Sequence, residues 1–381
     1  MLYKKKSSKK KILAFMNSYS SGKSGGDVIF LELIRYFSKY FEITVVTSEL
    51  GKRIILEYCK DINFFVTDKR KYFKNIIITY LFRSLKALMF FTNTNLKNAD
   101  ILYGSSDFLP DVFPIFFYKL FKRKIMWIQC MFLVINKDHI ISHYAQKISF
   151  SLMKILCDKI IVLNNEDKNY LIKIGFNEKK IEVVYPSVNL ENIQNIKYNN
   201  DTFYNYDAVF FARLTEYKGV YDLIEIWDLV VKSINNVTLA IIGTGDKKVI
   251  NKIKNLIKIK NLETNICLLG FIGNNNERFS IVKSSKMLVY PSHEESFCLS
   301  IAESMVLGTP VVAYDLPVFK EIYGSSITYV KFLDINDFAN QIIILLNNKG
   351  LRTYYSKIGI KTVKKYDLEN SAKKVMSIMQ I

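Results

Sequence analysis

The sequence is poor in the residues that build metal and disulfide frameworks, with five cysteines and three histidines in 381 residues. Cys59, Cys130, Cys157, Cys267 and Cys298 are scattered without a CxxC pair. That pattern excludes a zinc ribbon and reads as buried thiols in a reducing cytosol. No run of 18 uncharged apolar residues occurs, so no membrane-spanning helix is expected. Zinc-knuckle spacing, an RNP-type motif and a basic heptad helix are all missing, and a nucleic-acid partner is not expected despite a net charge of +19. The opening MLYKKKSSKKK carries six lysines with no apolar core behind them of the kind a signal peptide needs.

Acidic residues are scarce mainly in the first half. Residues 1 to 190 hold 31 Lys and Arg against 16 Asp and Glu, whereas residues 191 to 381 hold 23 against 19. A basic field of this kind is drawn to anionic surfaces, most simply a membrane leaflet. The expected location is therefore cytoplasmic, with peripheral attachment to the inner face of the membrane. A solvated tail is the alternative for the lysine cluster.

Half of the chain is hydrophobic and 23% is charged, which describes a globular protein. Its length favours two domains. Short apolar runs alternate with helical patterns, the signature of βαβ units. Strands are predicted at 11–17, 42–48, 62–67, 101–104, 124–130, 159–164 and 181–185. The pattern restarts at 206–212, 237–243, 266–270, 287–292, 310–314 and 327–330. The Asn-rich stretch 186–205 lacks periodicity and reads as a linker. The expectation is an α/β chain of two Rossmann-like, doubly wound parallel-sheet domains facing a central cleft. They would span residues 1–190, including a basic tail 1–10, and 206–365, with a C-terminal helix 366–381 packing back on the first.

The most informative stretch is PSHEESFCLSIAESMVLGTPVVAYDLPVFKEIYG, residues 291 to 324. A buried strand leads through the loop HEES into the helix FCLSIAESMVLG, closed by Gly308. Such a loop offers free N–H groups and the positive end of a helix dipole to a diphosphate. Glu303 falls about two turns into that helix. This stretch resembles the donor-site signature of glycosyltransferase family 4, which has the GT-B fold. Pro291, Ser292, Glu295, Phe297, Leu299, Glu303, Met305, Gly308, Pro310, Val311, Val312 and Ala313 stand in register with it. The resemblance implies that Glu303 accepts hydrogen bonds from the nucleotide ribose and that Glu295 reaches the transferred sugar. Ser296 and Cys298 stand where the family has glycines, and His293 occupies a variable position that can touch the donor sugar.

A second segment, FARLTEYKGVYDLI, places Arg213 and Lys218 after a strand and before a helix. In the family this segment supplies the cations that hold the diphosphate. Fixed cations stabilise the charge that develops on a leaving nucleoside diphosphate. No DxD motif is present, so no metal and no cofactor are expected. Gly243, in IIGTGDKK at a strand end, fits the same donor domain. In the first half, Gly25 and Gly26 match a family Gly-Gly pair that faces the phosphates, although a tight strand-to-helix turn would also use them. The strand KIMWIQC offers Gln129 and then Phe132 where family members carry a His. His139 and His143, four residues apart, lack a third metal ligand.

Residues 69 to 91 mix six basic residues with dense aromatic and aliphatic content. They read either as core with snorkelling lysines or as an interfacial helix. Taken together, the resemblance implies a retaining transferase moving a hexose-type sugar from a UDP- or GDP-sugar to a glycan or lipid-linked acceptor. The alternatives are a GT-B nucleotide-sugar epimerase, or a P-loop-like nucleoside triphosphatase at Gly22 to Ser24.

Overall fold

The computed structural model describes residues 9–19, 24–68, 76–89, 99–135, 140–195 and 205–379. Gly22, Lys23, His139, the first eight residues and parts of the 69–91 and 186–205 segments lie outside the described residues.

The chain folds as two compact units, one of residues 1–187 with 368–381, the other of residues 188–367. In the first, strand and helix alternate as β1 (Lys11–Met16), α1 (Gly25–Phe37), β2 (Glu42–Thr47), α2 (Glu49–Tyr58), β3 (Asn63–Val66) and α3 (Ile76–Leu88). The series continues with β4 (Ile101–Gly104), α4 (Leu109–Phe121), β5 (Met126–Cys130), α5 (Ile140–Leu156), β6 (Lys159–Val162), α6 (Asn165–Lys173) and β7 (Ile181–Val183). All seven strands run parallel in the order β3-β2-β1-β4-β5-β6-β7. After Lys11, the strand KILAFM is apolar and buried from Ile12 to Met16 because both faces of a parallel sheet are covered by helices.

The second unit opens with α7 (Leu190–Gln194), β8 (Ala208–Phe211), α8 (Val220–Ser233), β9 (Leu239–Ile242), α9 (Lys247–Ile259), β10 (Ile266–Gly270) and α10 (Asn275–Ser284). It goes on through β11 (Leu288–Tyr290), α11 (Leu299–Val306), β12 (Val311–Tyr314), α12 (Pro317–Tyr323), β13 (Thr328–Val330), α13 (Ile335–Asn347) and α14 (Lys349–Val363). Its six strands are also parallel, in the order β10-β9-β8-β11-β12-β13. The direction of winding reverses between β8 and β11, and in open sheets of this kind the C-terminal ends of the strands at such a reversal are where ligands bind. The last helix, α15 (Leu368–Ile378), returns to the first unit, where Ala372 and Val375 join the core beside α1.

Every strand read from the sequence is present, trimmed by up to two residues at either end. Part of the expected linker is structured: Val188 bridges to Asp367, and α7 packs against α11.

The C-terminal strand ends of the first unit cover a buried polar network. Asp111, near the start of α4, accepts hydrogen bonds from Asn17 N at 2.6 Å, Ser18 N at 3.0 Å and Ser106 Oγ at 2.5 Å. Asp107 accepts from Gln146 Nε2 at 2.5 Å. Burial pushes both carboxyl groups up to about 6. Because the folded chain holds these protons more tightly than the unfolded one, their contribution is fullest below about pH 4 and is lost as pH rises through about 6. The unfolding free energy of the first unit is therefore expected to rise from pH 7 to pH 5 by about 1 kcal/mol per group, read from urea titrations. Asp107→Asn is expected to remove its share of the slope. A midpoint independent of pH in this range would contradict the assignment.

Candidate donor site

The site is built on the second unit, from the loops that follow β8, β9 and β11. Gly219, in the left-handed region at φ 66°, ends the first loop and starts α8. A Cβ placed on it would stand 1.7 Å from Pro291 O, so only glycine lets the β8 and β11 loops touch. The contact is fastened by hydrogen bonds to Tyr217 O from His293 N at 2.8 Å and from Ser292 Oγ at 3.1 Å. On the other side, Leu214 N donates to Thr244 O at 2.9 Å, joining the β8 and β9 loops. Gly243 lies against Ala212 O, which a Cβ would approach to 1.9 Å, so close backbone packing accounts for this glycine.

Juxtaposing these loops brings Lys218 and Glu295 together. Lys218 Nζ lies 2.5 Å from Glu295 Oε1, and Tyr290 Oη donates to the same oxygen at 2.8 Å. The Glu295 side chain is 8% exposed and that of Lys218 is 26% exposed. An ammonium has three donors, so the ion pair leaves Lys218 able to meet a phosphate while holding Glu295. Arg213 stands exposed in the same loop, one residue before the buried Leu214.

The turn into α11 is strained where the sequence departs from glycine. Cys298 caps the helix at φ 71°, a conformation that costs a side-chain-bearing residue about 1–2 kcal/mol. The buried Tyr323 hydroxyl sits 2.8 Å from Phe297 O and 2.9 Å from Cys298 O and pins this turn. Burial, reinforced by the Glu295 charge, drives the Cys298 thiol well above its usual range, so it stays neutral. The Phe297 ring is buried against Tyr323 and Tyr366. Its contribution at the surface is therefore its backbone. The helix begins at Leu299, two residues later than its sequence suggests, because the left-handed Cys298 turn comes first. Ser296 lies in the loop just before that turn, and Gly308 follows the helix at φ 77°.

Glu303 is the fifth residue of α11, closer to the helix start than the two turns read from the sequence. Its side chain is 17% exposed, and Arg278 Nη2 on α10 lies 3.7 Å from its Oε1. Burial raises the Glu303 carboxyl above its ordinary value, with Arg278 pulling the other way. Arg278 is itself held over Phe279, 4.5 Å from the ring centroid, and its buried Nε has no hydrogen-bond partner among the described residues.

His293 donates to Asp222 Oδ2 at 2.8 Å, and Tyr314 Oη donates to the same oxygen at 2.9 Å. One imidazole nitrogen is thus already engaged. Gly25 and Gly26 belong to the other unit, in the first turn of α1 behind a Ser24–Asp27 capping box. A Cβ on Gly26 would come 2.7 Å from the Phe132 ring, so local packing already requires that glycine. Gln129 is fully buried, donating to Ser106 O at 2.5 Å and accepting from Trp127 Nε1 at 2.9 Å. Its amide serves the fold. Arg278, Tyr290, Asp222 and Tyr323 carry no signal in the sequence pattern. Among the described residues, no group of three or more His, Cys, Asp or Glu is placed to hold a metal ion.

Anabaena HepE, crystallised with UDP and glucose, superposes with a TM-score of 0.80 at 15% identity, covering 97% of this chain and 99% of that one. A glycosyltransferase from Rickettsia africae superposes with a TM-score of 0.76 at 18% identity, covering 98% of each chain. Residues 196–362 match the family model described as glycosyl transferases group 1. The fold is that of the GT-B glycosyltransferases. In sequence, the poly(ribitol-phosphate) alpha-N-acetylglucosaminyltransferase of Staphylococcus aureus is 32% identical over 176 residues, 44% of this chain and 34% of the relative. The match spans 24% and 42% of two further curated relatives, so this chain aligns with less than half of each. The group 1 match falls wholly within the second unit, the one that carries the loops described above.

Proposed function

We propose that the chain is a retaining glycosyltransferase that moves a hexose-type sugar from a UDP- or GDP-sugar to a glycan or lipid-linked acceptor. The observation that carries this reading is the meeting of the β8 and β11 loops, which sets Lys218 on Glu295 beside the start of α11. Arg213, Lys218 and the first-turn N–H groups of α11 neutralise the diphosphate. Glu303 receives the ribose hydroxyls, since a largely buried carboxylate with a cation 3.7 Å away has acceptor capacity left for a diol. Glu295, oriented by Tyr290 and Lys218, accepts from the transferred sugar. The acceptor oxygen forms its bond to the anomeric carbon on the face from which the diphosphate departs, the bond to the diphosphate breaks, and the acceptor proton leaves with it. On this reading no resident cofactor or metal is needed, because protein cations meet the leaving charge.

The relatives support the donor half of the reading. HepE was crystallised with UDP and glucose, and the S. aureus relative is named as an alpha-transferase of N-acetylglucosamine. The experiment is a thermal-shift panel of UDP-, GDP- and ADP-sugars, followed by incubation of the stabilising donor with and without candidate glycan acceptors. The expected result is stabilisation by a UDP- or GDP-sugar and release of free nucleotide only with acceptor. Conversion of the donor sugar without acceptor would assign an epimerase instead, and stabilisation by none of them would remove the reading.

A further inference from the structure

On the first unit, α3 and α5 flank α4 and turn apolar side chains to solvent. On α3, Ile78, Leu81 and Leu85 are 51%, 53% and 61% exposed. On α5, Ile141, Tyr144, Ile148 and Ile155 are 63%, 61%, 52% and 64% exposed. Both sets follow the three, four and seven residue spacing of a single helical stripe. The opposite sides of the same helices enter one core with α4, through Ala87 on α3 and Phe150 and Met153 on α5. Both stripes therefore lie on the outer surface of one helical layer, with α4 between them. Scattered surface leucines are ordinary, whereas aligned stripes on neighbouring helices mark a surface that something covers.

Charge identifies the cover. Neither α3 nor α5 contains an Asp or Glu, and their exposed or half-exposed cations are Lys86, Lys147 and Lys154. Lys86 and Lys147 lie along aromatic rings, 5.7 Å from the centroid of Phe82 and 5.4 Å from that of Tyr144. Each ammonium thus sits over an aromatic face, at the level of the apolar stripes. Just beyond α4, Lys122, Arg123 and Lys124 are exposed. A second copy seated face to face would set these cations against their own equivalents. An anionic bilayer instead offers acyl chains to the stripes and lipid phosphates to the lysines. Among the described residues no helix is long and apolar enough to cross a membrane, so the contact would lie along the surface.

We propose that the outer faces of α3 and α5 form a docking surface for an anionic lipid bilayer. The inference uses no residue of the donor site, and its test uses no sugar. The full chain is floated with phosphatidylglycerol vesicles and with phosphatidylcholine vesicles, alongside a Leu85→Asp, Ile148→Asp double variant and a Lys86→Glu, Lys147→Glu double variant. These side chains are exposed or half-exposed, and an unchanged melting temperature confirms that each variant folds. The wild type is expected to float with phosphatidylglycerol and not with phosphatidylcholine, and to be released by high salt. Each double variant is expected to bind roughly tenfold or more weakly. No flotation of the wild type would overturn the proposal. Flotation that both variants retain would also overturn it, because the attachment would then lie elsewhere on the chain. So would self-association in light scattering that the Asp variant abolishes, which would assign the face to a second copy.

Discussion

Arg213→Ala is expected to lower turnover by roughly 10²- to 10³-fold, the usual cost of removing one preorganised group that meets developing negative charge. The melting temperature should hardly change, because Arg213 is exposed in the loop after β8. Lys218→Ala is expected to lose at least as much activity, and stability as well. Its partner Glu295 is 8% exposed and would keep the hydrogen bond from Tyr290 without a compensating cation. An uncompensated buried charge typically costs about 3–5 kcal/mol. The pair of variants therefore separates two roles of positive charge in one loop, one at the surface toward ligand and one that also holds a carboxylate. Steady-state kinetics with melting curves of both variants check this. Equal activity in wild type and Arg213→Ala would remove that arginine from the site.

A second large effect is expected at Glu303. Glu303→Ala should raise KM for the donor by roughly 10- to 100-fold with a smaller change in kcat, the signature of lost binding shared by ground and transition states. Arg278→Ala should move KM in the same direction, through its contact with Glu303. Without the guanidinium 3.7 Å away, burial alone would act on the Glu303 carboxyl and push it further up. The donor KM of Arg278→Ala should then worsen as pH falls toward that raised value. A KM that shows no change in pH dependence would leave Arg278 with a packing role over Phe279 only.

The architecture was legible because the strands are short, mainly apolar runs that alternate with longer helical patterns. These are local signals, and they located all thirteen strands. The candidate donor loops were read from the register of residues 291 to 324, a spacing whose chemistry depends on which residues share the loop and the helix start. What the pattern could not show is who touches whom across elements. Arg278 meets Glu303 only because α10 packs beside α11, and Asp222 meets His293 only because α8 begins under the β11 loop. The sequence marks Cys298 as a departure from glycine but not that the backbone keeps the glycine conformation, which the Tyr323 hydroxyl holds from a different helix. Gln129 shows the reverse case. It stands where the family has a polar residue near the sugar, yet both ends of its amide are bound within the first unit.

The affinity of UDP for the wild type, Arg213→Ala and Lys218→Ala, measured by titration calorimetry in the presence of a metal chelator, tests most directly whether protein cations at the β8 and β11 loops hold the diphosphate. The account predicts wild-type binding unaffected by the chelator and weakened by roughly tenfold or more in each variant. Binding that vanishes with the chelator, or that both variants keep at full strength, would contradict it.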